Sequence, residues 1–87
     1  MPLLDDLAEA LARDTLAAMD ELGDDRFYME VSKVLGAASP TVQEAYLTAV
    51  RFLMAERRGR RFLDQTLAAH RGGGTAPAAP RPADSGH

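Results

Sequence analysis

Eighty-seven residues without a single cysteine leave room for one small domain and exclude a fold stapled by disulfides. Structural zinc would have to rely on histidine and carboxylate alone, and His70 is the one histidine before the glycine-rich end. No apolar run approaches the roughly 18 residues of a membrane span, and Asp5 and Asp6 with no basic residue before them do not make a secretory signal, so a cytoplasmic protein is expected.

The formal net charge of −3 conceals an asymmetry. Residues 1–30 hold nine acids against Arg13 and Arg26, whereas residues 31–87 hold eight bases against Glu44, Glu56, Asp64 and Asp84. Separation of this kind steers association within or between chains. Nine arginines to one lysine, with abundant alanine, point to a GC-rich bacterial gene.

Helix is the one regular structure the periodicity predicts. Pro2 suits a first helical turn and Asp5 and Asp6 complement its dipole. Leu4, Leu7, Leu11, Ala18 and Leu22 form a stripe that Ala8, Thr15 and Met19 widen, and Gly23 offers a left-handed stop. Asp24 or Asp25 is placed to cap a second helix with Phe27, Val31, Val34, Leu35 and Ala38 inward. The third helix starts either with Ser39 as cap and Pro40 in its first turn, or with a Thr41–Glu44 capping box. It turns Val42, Ala45, Tyr46, Ala49, Val50 and Leu53 inward.

At Gly59 two readings stand. The glycine ends the third helix before a short fourth one, or a single helix runs from residue 41 to about 70 at a cost of about 1 kcal/mol. The second is favoured, because no Asn, Asp or Pro accompanies Gly59, and residues 49, 52, 56, 59, 63, 66 and 70 share one face. From Gly72 onward the chain is rich in Gly, Pro and Ala with no large apolar side chain, the composition of a disordered tail. The expected fold is therefore all-α: a three- to four-helix bundle over residues 1–71, built as a helical hairpin plus a longer C-terminal helix, with residues 72–87 as a flexible tail.

The densest charge is Arg57, Arg58, Arg60 and Arg61 around Gly59. A solvated face with Arg57 or Arg60 bridging to Glu56 or Asp64 is the plain reading. Protein docking, phosphate binding by nucleic acid and contact with an anionic membrane surface are the functional ones. An acidic chain without a helix-turn-helix pattern argues against DNA. Leu3, Leu16, Tyr28, Leu47, Phe52 and Met54 fall off the main stripes, which leaves apolar surface for an interface and favours a homodimer.

Catalytic and metal patterns are weak. Asp5 with Glu9 and Asp20 with Asp24 sit four apart, but no histidine accompanies them and Arg13 is spaced to pair with Glu9. The run from Asp20 lacks the glycine and final glutamate of a calcium loop. His70 complements a helix C-terminus, and Gly72, Gly73 and Gly74 follow a helix rather than open one. No enzyme activity, metal or cofactor is expected. The sequence supports a non-catalytic interaction module, a small accessory or regulatory protein. Its docking surface is expected to combine Tyr46, Leu47, Phe52 and Met54 with Arg57, Arg58, Arg60 and Arg61. The alternatives are a nucleic-acid-associated regulator using Arg57–Arg61 and, as a minor reading, a helical leader cleaved near Gly72–Gly74.

Overall fold

The computed structural model describes residues 2–72, in which helix is the only regular structure. In chain order α1 spans Pro2–Leu22, α2 Phe27–Ala38 and α3 Pro40–Gly72. The expected tail, and Gly73 and Gly74 of the leader reading, lie outside the described residues, and α3 itself extends to Gly72. The chain divides into two units, Met1–Ala55 and Glu56–His87.

Of the two readings at Gly59, the continuous helix is the one found. Gly59 has open space around it and no positive φ, which among the described glycines occurs at Gly23 alone (66°). A lone glycine without turn-forming neighbours costs a helix about 1 kcal/mol and does not break it. Gly23 does end α1: in its left-handed conformation it lets the Asp24 amide reach back to the Met19 carbonyl at 3.2 Å, the long bond of a Schellman stop.

In the first unit the core centres on Ala8 and Ala12 of α1 with Tyr46 and Val50 of α3. Leu11, Tyr28, Val31, Leu35, Leu47, Leu53 and Met54 pack against it. The buried side of α1 is Ala8, Ala12, Thr15, Leu16 and Met19, a regular helical repeat turned by about one residue from the leucine stripe. Leu7 and Leu22, expected inside, are exposed, and Leu16, expected outside, is 3% exposed. The reason is steric: alanines at positions 8 and 12 let α1 approach the bulky Tyr46 ring closely, whereas leucines on that line would hold it off.

Helix α2 corrects further expectations, and Ala38, expected inward, is exposed. Val34 is 72% exposed while Ser32 is buried, because Ser32 faces Gln43 of α3. The Gln43 amide donates to the Ser32 carbonyl at 3.0 Å and to its hydroxyl at 3.2 Å. Gly36 makes the space, since a Cβ there would sit 2.6 Å from Gln43 Nε2. Neither Asp24 nor Asp25 caps α2, whose N-cap is Arg26 without a side-chain bond. Asp24 Oδ1 instead accepts the Arg26 amide at 2.9 Å, holding the turn one step earlier.

Of the two starts for α3, Ser39 with Pro40 is the one used: Ser39 Oγ accepts the Val42 amide at 3.2 Å. The same residue closes α2, its own amide donating to the Leu35 carbonyl at 2.7 Å. Ser39→Ala should therefore cost about 1 kcal/mol, read as a lowered midpoint of thermal unfolding by circular dichroism.

Candidate docking surface

The eight residues expected to form a docking surface do not share one environment. Tyr46 is 0% exposed and leaves the surface altogether. Its ring lies in the core and its hydroxyl donates to the Tyr28 carbonyl at 3.0 Å, so it ties α3 to α2. Burial pushes the phenol above its ordinary pKa, partly offset by the neighbouring Thr15 hydroxyl and reinforced by Tyr28. Thr15 turns its own hydroxyl proton to the Leu11 carbonyl at 2.8 Å, which satisfies a buried polar group within α1. Leu47 and Met54 are half-buried against the core. Only Phe52 among the apolar four is a large outward group, 71% exposed.

Phe52 borders an open groove of about 480 Å³ within the first unit. Ala8, Ala45, Ala49 and Leu53 form its floor, since they are the less exposed lining residues, and Asp5, Glu9, Arg13, Thr48 and Phe52 its exposed rim. The groove exists for the reason that the core is tight: short side chains on both helices leave a furrow where they meet. Across one rim Arg13 grips Glu9 through Nη2 at 2.8 Å and Nε at 3.0 Å. This exposed pair fixes side chains more than it stabilises the fold.

The carboxylate pairs considered as metal ligands are engaged otherwise. Glu9 holds Arg13, and Asp24 holds a backbone amide. Among the described residues no group of three or more His, Asp or Glu side chains converges, and no helix is long and apolar enough to cross a membrane.

In the second unit the helix from Glu56 to Gly72 carries all four clustered arginines, each exposed. Arg60 pairs with Glu56 at 3.1 Å, the i,i+4 bridge that the plain reading called for. At 100° per residue, Phe62, Leu63, Thr66 and Leu67 gather on one side of this helix. Arg58 and Arg60 flank that side, and Arg57 and Arg61 take the opposite one. Leu63 and Leu67 remain exposed. Sequence reasoning put the arginines and Phe52 on the surface but did not single out Leu63 and Leu67 as exposed apolar residues. Their i,i+4 spacing beyond a glycine was the available signal.

Compared with known proteins, the chain matches no protein-family model, no curated protein and no solved structure.

Proposed function

We propose that this chain is a non-catalytic interaction module: a small cytoplasmic accessory protein, built on a helical bundle, that docks on protein surfaces and pairs with itself. The observation that carries the reading is Phe52, an aromatic side chain 71% exposed beside a groove floored by three alanines and Leu53. Aromatic and arginine side chains contribute most to binding at protein interfaces. Leu47 and Met54 are half-buried against the core and add little to this surface, and the exposed arginines of the second unit supply charge and bidentate hydrogen bonding of their own.

A protein partner co-purified in stoichiometric amount and retained after nuclease treatment should be lost on Phe52→Ala or Arg58→Ala. Retention of every partner by both variants would end this reading. The second reading, a nucleic-acid contact through Arg57–Arg61, draws on four exposed arginines within two helical turns. It predicts recovery of nucleic acid and an affinity that falls steeply between low and moderate salt.

A further inference from the structure

We propose that the helix Glu56–Gly72 of one copy seats in the groove between α1 and α3 of a second copy. The inference rests on the reading of the exposed apolar surface as a docking surface, and it names a specific occupant for the groove.

Three observations converge on that occupant. First, the groove needs a rod with an apolar edge. Its floor is made of Ala8, Ala45, Ala49 and Leu53, and it is open to solvent. An amphipathic helix fills such a furrow with side chains spaced i, i+3, i+4 and i+7. The segment supplies this pattern in Leu63, Thr66, Leu67 and His70. Second, the apolar groups match. Leu63 is 45% and Leu67 38% exposed, and Phe52 stands exposed at the groove's edge to cover them. Burial of each leucine in a second copy removes its remaining apolar surface from water, which favours association.

Third, the charges are complementary. The segment carries Arg57, Arg58, Arg60, Arg61 and Arg71 against Glu56 and Asp64, while α1 carries six acids against Arg13. Asp5 and Glu9 lie on the groove itself, with Arg13 paired to Glu9, so the groove keeps a net negative charge. With the leucines facing the floor, Arg58 and Arg60 flank the contact and fall beside carboxylates. Opposite potentials of this kind speed encounter and fix orientation. Each copy owns one groove and one such helix, so two copies exchanging them form a closed pair with two equivalent contacts.

The test is the oligomeric state of the full chain by sedimentation velocity, over a range of concentrations and at low and high salt. Wild type should be a dimer that weakens as salt rises. A groove variant (Thr48→Glu with Phe52→Glu) and a helix variant (Leu63→Glu with Leu67→Glu) should each weaken the dimer by more than about tenfold. All four positions are exposed, so both variants keep the wild-type helical circular dichroism. Should either lose it, the single substitutions Phe52→Lys and Leu67→Lys replace them.

Mixing the two double variants is the decisive step. The first retains an intact helix and the second an intact groove, so the mixture should recover a dimer with one seated contact. A dimer that neither variant weakens, or two monomers that fail to recombine, would overturn the proposal. A wild-type chain that is monomeric throughout would also overturn it, while leaving docking on another protein through Phe52 standing.

Discussion

Replacing Tyr46 with alanine should cost the first unit about 3–5 kcal/mol, the range for truncating a buried aromatic. A unit of this size has a total stability of roughly 3–8 kcal/mol, so the variant is expected to be largely unfolded at room temperature. Tyr46→Phe separates the ring from the hydroxyl. It removes the hydroxyl with its bond to the Tyr28 carbonyl and its interaction with Thr15 and should cost about 1 kcal/mol, a drop of roughly 4–8 °C in the unfolding midpoint. The hydroxyl also leaves a mark on pH dependence. Burial raises the Tyr46 pKa in the folded state, so folding favours the protonated phenol. The unfolded phenol ionises near about 10. Stability from this group is thus complete below that pH and declines as pH rises above it toward the folded value. Wild type should lose stability above about pH 10 more steeply than Tyr46→Phe. Identical alkaline profiles for the two would show that the hydroxyl is not held as described. Equal melting of the alanine and phenylalanine variants would show that the ring is not the core.

Leu16→Ala should destabilise by about 2–5 kcal/mol, as expected for a buried leucine, while Leu7→Ala should change stability by less than about 0.5 kcal/mol in the monomer. The pair discriminates sharply because both residues are leucines on one helix. Leu16 is 3% exposed and Leu7 more than half exposed. Urea titrations followed by circular dichroism give both values. A larger loss for Leu7 than for Leu16 would mean that α1 presents its leucine stripe to the core after all.

That contrast shows where sequence reasoning succeeded and where it failed. Helix ends were legible because they depend on local chemistry: Gly23 stops α1, and Ser39 and Pro40 start α3 whatever the rest of the chain does. Continuity through Gly59 was legible for the same reason. The buried face of α1 was legible in part: Ala8, Thr15 and Met19 were expected on the inward side and are buried, but Leu7 and Leu22 were put inside and Leu16 outside because hydropathy weights leucine above alanine. The packing weights closeness to Tyr46, and there the smaller residue wins. Ser32 was invisible as a core residue because its partner, Gln43, lies eleven residues away on another helix. The surface followed the same rule. Phe52 and the arginines stood out from local pattern alone, whereas the groove beside Phe52 arises only when α1 meets α3.

Ser39 is at once the C-cap of α2 and the cap of α3, and this joint of one residue sets the rotational phase between the two helices. One extra residue between Pro40 and Gln43 would turn all that follows by about 100°, carrying Tyr46 out of the core and Gln43 away from Ser32. Residues 23–26, by contrast, form a turn with no such phase to keep. Chains descended from this one should therefore differ freely in length before α2 and hardly at all after it.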